Sequence, residues 1–565
     1  MKWLKRFLAA ATLLLLLAAT AVYLTPLDAY LPEVERELSA GMSEPVKVRH
    51  LKIGASPLPH LALEDVRVGE GQSIQLQSVK IILDFRALFG PQRVLRRIAL
   101  HNGSVTQAQL ERISALLQGG AAVSLPFRVE ELQFDGIRLV APGFSLEPLE
   151  GKLEFAPDSS LARARFALGG KKITAELAPL PGNVYAVEVQ ANGWSPPNYS
   201  AFELTRLNAS GMLAESRFEA KRFSAEIRGA HLEGSALLEW KPEWKLALRL
   251  DALDGKLERL LPQPDNRIAM AGGLRLKGSL RSHGATARTL PHNLKMDAEV
   301  EIKNATLHLP GSFRRPLMLD AAKTQLSGNL AEITLSGLRA QLYGGTVEGF
   351  ATIRVPDASV RAEIIFGNIW LEPLVQVLSD DVVLTGTLEG KTKFSVKVKE
   401  FQHFPQNLQL DGEFRARNGV LRKIDVAQAA SNPLKEGSKG GTTSFNELFS
   451  LLSVDAGGYH FKGLKVSSGA LNAEGKLDVS PQQQLSGLLD TDVKGTASLI
   501  SMPLEISGTL SDPVLRPTKS ALAGASVGTA LMGPGLGTAL GIKAGNLLNK
   551  LFGKKGGGKD DKSAK

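Results

Sequence analysis

"LKMDAEVEIKN", Leu294 to Asn304, alternates apolar and polar residues without a slip. Leu294, Met296, Ala298, Val300 and Ile302 fall on one side, and Lys295, Asp297, Glu299, Glu301 and Lys303 on the other. Successive side chains of a strand point to opposite faces, so the stretch predicts a β-ribbon with one apolar face and one ionic face. The same rule runs through "SIQLQSV" (73–79), "NVYAVEV" (183–189), "AEITLSG" (331–337) and "ALNAEGKLDV" (470–479). In "WKLALRLDA" (244–252) Trp244, Leu246, Leu248 and Leu250 oppose Lys245, Ala247, Arg249 and Asp251. In "FSVKVKE" (394–400) Phe394, Val396 and Val398 oppose Ser395, Lys397 and Lys399. Turn signals separate these runs, among them Pro181-Gly182-Asn183, Gly344-Gly345, Pro356-Asp357 and Ser480-Pro481.

Antiparallel strands with one wet and one dry face need a cover for the dry one. The sheet can close on itself as a sandwich or barrel with a packed core, or curl into a trough whose apolar lining accepts a ligand. Single cores stop growing near roughly 250–300 residues. This chain has 565 residues, and no Pro-, Gly- or Ser-rich linker cuts it into sandwiches. The expected fold is therefore mainly β, an elongated, curled antiparallel β-sheet groove with a few short helices. Its lining would include Trp244, Leu246, Leu248, Leu250, Met296, Val300, Ile302, Ile333, Leu335, Phe394, Val396 and Val398, each of which also reads as packed sheet core. A loose module recurs in "EWKPEWKLALRLDALDGKLERLL" (239–261) and "RVPDASVRAEIIFGNIWLEPLVQVL" (354–378): Pro turn, alternating strand, short helical insert.

The two ends differ from the middle. In "MKWLKRFLAAATLLLLLAATAVYL" Lys2, Lys5 and Arg6 precede an apolar run from Phe7 to Leu24. At 1.5 Å per residue that run is roughly 27 Å long, enough to cross a bilayer core. It predicts a transmembrane helix carrying Phe7, Leu13, Leu17 and Leu24, with residues 1–6 as a cytoplasmic basic flank and the rest exported. A cleaved signal peptide is the alternative, since Ala19-Thr20-Ala21 resembles a cleavage site. "DAYLPEVERELSAGM" (28–42) reads as a short helix. Near the C-terminus Gly533, Gly537, Gly541 and Gly545 recur every four residues, so they share one face of a helix. Residues 519–553 are expected to form a helical hairpin that dips into a membrane surface, or else a flexible Gly/Ala tail. Residues 554–565 read as a disordered basic tail.

Chemistry is not legible. The chain has no Cys, which removes disulfides, zinc thiolates and Cys nucleophiles. Its net charge of +10 is scattered and gives no nucleic-acid footprint. The nine His are dispersed without metal-ligand spacing. "TGTLEGKTKF" (385–394) approaches a phosphate-binding loop, but its glycines are one residue too close and a strand follows. No catalytic, metal or cofactor site can be assembled, and a non-enzyme is expected. A transmembrane β-barrel also alternates, but six Tyr and five Trp are too few for aromatic girdles.

Three regions resemble the AsmA family of envelope proteins. One is "LALEDVRVGEGQSIQLQSVKIILDFRALFGPQRVLRRIALHNGSV" (61–105), with its Leu88-Phe89-Gly90 turn. Another is "LRAQLYGGTVEGFATI" (338–353). The third begins at "LDGEFRARNGVLRKIDVAQ" (410–428) and ends at "MPLEISGTLSDPVLRP" (502–517), with Asn418-Gly419, Ile424-Asp425, Thr443, Phe445, Pro503, Gly508 and Pro513 in the family's places. The resemblance implies an N-terminal β unit over 25–110, a repetitive β-groove over 111–400 and a C-terminal β unit over 401–518. It also implies an uncleaved inner-membrane anchor, a periplasmic body, and phospholipids passing through the groove toward the outer membrane with their acyl chains shielded. Expected partners are phospholipids, the inner membrane and, through the C-terminal hairpin, the outer membrane or one of its proteins; nucleic acid is not among them. The rival reading is a scaffold for outer-membrane protein assembly or envelope integrity.

Overall fold

The computed structural model describes residues 27–42, 44–54, 59–69, 74–83, 93–106, 109, 127–141, 144–145, 147–182, 184–195, 203–261, 269–309, 313–397, 406–431, 437–494, 499–532 and 542–544. The chain divides into two compact units, one comprising 1–251 with 283–290 and the other 252–282 with 291–565. The predicted anchor (Phe7–Leu24), Val398 and the glycines at 533, 537, 541 and 545 lie outside the described residues. Among those residues no helix is long and apolar enough to cross a membrane.

The first unit begins with a 3-10 turn, Leu27–Tyr30, and helix α1, Leu31–Met42. Strands follow: β1 (Val46–Lys47), β2 (His50–Gly54), β3 (His60–Val68), β4 (Ile74–Leu83) and β5 (Arg93–Thr106). Next come β6 (Phe127–Val129), β7 (Glu131–Ala141), β8 (Phe144–Ser145), β9 (Leu149–Phe155), β10 (Leu161–Leu168) and β11 (Ile173–Leu180). Then β12 (Val184–Trp194), β13 (Leu204–Ala214), β14 (Arg217–Ile227), β15 (Ala230–Glu239) and β16 (Trp244–Lys256), whose last residues enter the second unit. Strands β1 and β2 both pair antiparallel with β3, β3 pairs with β4 and β4 with β5, β7 pairs with β9, and β9 to β15 pair antiparallel in succession, whereas β5 runs parallel to β6 and β7. The expected antiparallel sheet is thus found, with this one parallel step within it. A parallel pair needs a connection of a dozen residues or more, and residues 107–126 supply that length.

Helix α1 forms because Leu31, Val34 and Leu38 recur at helical spacing and have somewhere to go. They pack on Val46, Val48, Leu51, Leu63, Val66 and Val68, closing this end of the apolar face. The helix and its preceding turn also cover the free edge of β1 and β2. The amide of Val46 donates to Ser39 Oγ (2.9 Å), that of Val48 to Glu35 Oε1 (2.8 Å) and that of Leu51 to Asp28 Oδ1 (2.9 Å). Side-chain acceptors thus occupy donors that would otherwise recruit another strand.

The second unit holds α2 (Leu257–Leu260), β17 (Ala269–Gly284, within this unit to Ser282), β18 (Lys295–His308), β19 (Leu317–Gly328), β20 (Glu332–Leu342) and β21 (Gly345–Arg354). It continues with β22 (Ser359–Trp370), α3 (Leu371–Leu378), β23 (Thr387–Lys397), β24 (Leu408–Arg422) and α4 (Val426–Ser431). Further on come β25 (Thr442–Asp455), β26 (Gly458–Ser467), β27 (Leu471–Val479), β28 (Leu485–Lys494), β29 (Leu499–Gly508), β30 (Pro513–Pro517) and α5 (Lys519–Met532). From β17 to β30 each strand pairs antiparallel with the next. Helices α2 and α3 are the short inserts expected after the two Pro-turn modules. Bulges interrupt the ladder at Leu335/Leu338, Phe366/Ile369 and Phe461/Leu464, where Gly337 (φ +58°), Asn368 (φ +56°) and Gly463 (φ +58°) take the left-handed conformation. Each bulge adds local twist and bends the strand that carries it.

Candidate functional site

Register, which the sequence alone does not specify, decides which apolar residues share a row. In the second unit one row runs Leu280, Met296, Gly328, Ile333, Ile353, Val360, Val396 and Leu408 from β17 to β24. The next runs Gly278, Ala298, Leu326, Leu335, Ala351, Ala362, Phe394 and Leu410. Predicted residues Met296, Ile333 and Val396 therefore fall in one row and Leu335 and Phe394 in the next. Val300 and Ile302 lie on the same face of β18, opposite Leu276 and Leu274. Sequence reading missed Leu280, Leu326, Ile353, Val360 and Leu408; the alternation in "SVRAEIIF" (359–366) was the available signal. In the first unit a corresponding row joins Leu168, Ile173, Ala191, Leu207, Ala225 and Leu232. Trp244, Leu246 and Leu248 are half-buried on β16 and Leu250 is buried, with the Trp240 and Trp244 rings 6.4 Å apart.

Burial separates two kinds of apolar face in the second unit. On β28 the alternation is complete: every second residue from Leu485 to Val493 is buried. On β18, with the same pattern in sequence, Met296, Ala298 and Ile302 are only half-buried. The reason is the cover. Helices α4 and α5 set Val426, Ala429, Ala430, Ala521 and Ala525 against Phe445, Leu448, Leu489, Met502 and Leu504, and this end becomes a packed core. The start of the predicted C-terminal hairpin, Lys519–Met532, is helix and packs on the sheet through Ala521 and Ala525. From β17 to β23 Met296, Ile333, Leu335, Ile353, Val360 and Phe394 stay half-buried, while Val300 on the same face and Val396 at the β23 end of the first row are buried. Within this unit the apolar face is therefore open over β17–β23, inside the groove expected over 111–400, and filled over β25–β30, inside the C-terminal unit expected over 401–518.

Several residues of the sequence resemblance turn out to build that filled end. Asp425 Oδ1 accepts the Gln428 amide (2.8 Å) at the start of α4. The Thr443 hydroxyl donates to Ile424 O (2.8 Å) and accepts the Val426 amide (3.0 Å). Gly419 lies so close to the Phe445 ring that a Cβ there would sit 2.5 Å from it. These residues seat a helix, and they line no open surface.

Polar atoms on the open face are used internally. Thr324 donates to Ser336 O (3.0 Å) and Thr392 to Asp411 O (3.1 Å). Each hydroxyl hydrogen goes to the sheet's own backbone, so the face presents hydrocarbon. The opposite face is ionic. Arg275 pairs with Asp254 (2.8 Å), Lys393 with Glu363 (2.9 Å) and Arg417 with Glu389 (2.8 Å), and Lys323 pairs with Glu299. The Arg417 and Arg415 hydrogen bonds hold the Glu389 carboxyl below its ordinary range. Such exposed pairs contribute little to stability and serve to keep that side wet. Each unit has a hollow among its charged side chains. One, of about 660 Å³, is flanked by Phe350, Ile365, Lys391, Lys393 and Leu451. One in the first unit, of about 640 Å³, lies among Gln133, Lys152, Arg165 and Glu176. Both are furrows between rows of long side chains. Among the described residues no cluster of His, Asp or Glu has the makings of a metal site, and the stretch after Gly386, which the sequence reads as strand rather than a phosphate-binding loop, is strand from Thr387 to Lys397.

The second unit thus defines a class: an antiparallel β-sheet protein with an ionic outer face, an uncovered hydrocarbon face and a helix-packed terminus. A family model, described as the AsmA family, matches residues 295–461, from β18 into β26. The resemblance drawn from the sequence is borne out over that segment, which takes in the open rows and the start of the filled end. No curated protein and no solved structure matches the chain.

Proposed function

We propose that the chain is a non-enzymatic, lipid-shielding protein of the bacterial envelope, anchored in the inner membrane through Phe7–Leu24 and passing phospholipids toward the outer membrane. The observation that carries this is the uncovered hydrocarbon face over β17–β23. Each CH₂ removed from water is worth about 0.8 kcal/mol, so a bare acyl chain in water is prohibitive. A continuous apolar surface lowers that barrier without chemistry. The internally spent hydroxyls of Thr324 and Thr392 favour an aliphatic occupant over a peptide or a sugar, either of which needs hydrogen-bond partners. The family match supports the reading. The rival, in which sheet edges recruit a client strand, loses support from the edges themselves. Beside the side-chain cover on β1 and β2, Leu515 of β30 exchanges both backbone hydrogen bonds with Ser438 (2.8 and 3.1 Å). A photocrosslinking residue placed at Met296, Ile333, Leu335 and Phe394 in cells tests the function. Lipid adducts at all four are expected. Adducts at none, or adducts to protein alone, would remove the proposal.

A further inference from the structure

We infer that the ionic face of β21–β26 is a contact surface between two copies of this chain, related by a two-fold axis that runs along the strands between β23 and β24. This surface lies on the other side of the sheet from the open hydrocarbon face and is independent of what that face carries. Three apolar side chains stand on it among charges. Ile365 is 65% exposed, more than any other large apolar side chain among the described residues, and Leu451 and Phe350 are 49% and 45% exposed. All three border one hollow of about 660 Å³. Apolar side chains that converge on one hollow mark a contact site, as scattered single ones do not.

The strand register says what fits there. Across the six strands one row reads Glu348, Ile365, Lys391, Glu413, Leu451 and Lys462. Acid, apolar and base in its first half recur in the same order in its second. Laying a sheet on its own copy by a half-turn about the strand direction reverses the order of strands and keeps the position along each strand. Centred between β23 and β24, that half-turn sets β21 over the partner's β26, β22 over its β25 and β23 over its β24. Glu348 then meets the partner's Lys462, Ile365 meets the partner's Leu451, and Lys391 meets the partner's Glu413. In the next row Lys393 meets the partner's Asp411 and Glu363 the partner's Ser453. One row further Glu389 meets the partner's Arg415. At none of these positions do like charges face each other.

A single chain leaves this pattern incomplete. Among the described residues, Glu348 and Lys462 at the two ends of the row have no ion-pair partner. Lys391 pairs with Glu413 of its own chain (3.4 Å). Docked, that pair lies over its own reversed copy, and charge alternates round a ring of four. Such complementarity selects partner and register. The contact of Ile365 with Leu451, made twice by symmetry, removes hydrocarbon from water. Strands stacked face to face keep their directions within about 30° of each other, which puts the tightest contact near the axis, over β22–β25. Strands of ten residues or more, six of them at about 4.8 Å spacing, offer roughly 24 Å by 34 Å. That is roughly 800 Å² a side, the size of a standard interface. The mixture of both signs disfavours an anionic lipid surface or nucleic acid, either of which calls for cations. The occupant is a second copy of the chain.

Sedimentation velocity of the full-length chain in detergent, over micromolar concentrations, tests this, and wild type should form a dimer. Lys391→Glu sets carboxylate over carboxylate twice in the symmetric pair and should weaken dimerisation roughly a hundred-fold. Glu413→Lys does the same with two ammonium groups. Mixing the two single variants should restore a dimer, because each supplies the charge the other lacks, and that rescue also shows both to be folded. The chain has no Cys, so Ile365→Cys combined with Leu451→Cys should give a covalent dimer on mild oxidation, and neither single variant should. A wild type that stays monomeric would overturn the inference. So would single charge variants that dimerise like wild type, a mixture of them that stays monomeric, or a double Cys variant that fails to crosslink.

Discussion

Truncating two leucines of the same sheet measures whether the face over β17–β23 is open. Leu504, in the filled end, is 0% exposed and packs under the helices. Leu335, on the open face, has the same side chain and the same mid-strand setting but is half-buried. Leu504→Ala leaves a cavity in a core that cannot collapse, and should cost about 3 kcal/mol. Leu335→Ala leaves no cavity, because one side of the residue meets no protein; only part of the transfer term is lost, about 1 kcal/mol. Urea denaturation followed by circular dichroism reads both, on protein stripped of lipid and then reloaded. The Leu335 cost should stay near one third of the Leu504 cost when stripped and rise toward it when lipid covers the face. Equal costs in stripped protein would mean that residues of the chain itself fill the hollow, and the open-face argument would fail.

Two further outcomes follow from the filled end. The His460 ring lies between Asp478 (Nδ1 to Oδ1, 2.7 Å) and Asp455 (Nε2 to Oδ1, 3.3 Å), tying β25, β26 and β27 on the ionic side. The hydrogen bond to Asp478 is the main reason its pKa is raised above the ordinary 6.5, with Asp455 adding to it. A raised folded-state value means that the stabilisation is complete below the ordinary value and is lost as pH rises through the folded one. Melting temperature should therefore decline on going from mildly acidic to mildly alkaline pH, and His460→Gln should flatten that slope; an unchanged slope would refute the clamp. Thr443→Val keeps the shape of a residue that is 4% exposed but strands the Val426 amide, and should cost about 2 kcal/mol in urea denaturation. A neutral outcome would show that α4 does not depend on this bridge.

Strand identity was legible from sequence because alternation is local. Lys295–His308, Trp244–Lys256 and Thr387–Lys397 are strands where the pattern placed them, and α1 begins and ends close to its signals. The parallel step at β5 and β7 was not legible, since pairing across a connection depends on residues distant in the chain. Register was out of reach for the same reason. "LKMDAEVEIKN" names an oily side but not its neighbours, and only the ladder brings Met296 beside Leu280 and sets Ile333 in the same row.

The sequence by itself determined that this protein is a long succession of two-sided strands, because side-chain direction in a strand follows from covalent geometry. Tertiary structure alone decided which oily sides are covered. Met296 and Leu489 look alike in their local patterns, yet Leu489 lies under helices recruited from elsewhere in the chain and Met296 does not. Burial is a property of what packs against a face, and that partner is not written beside the residue it covers.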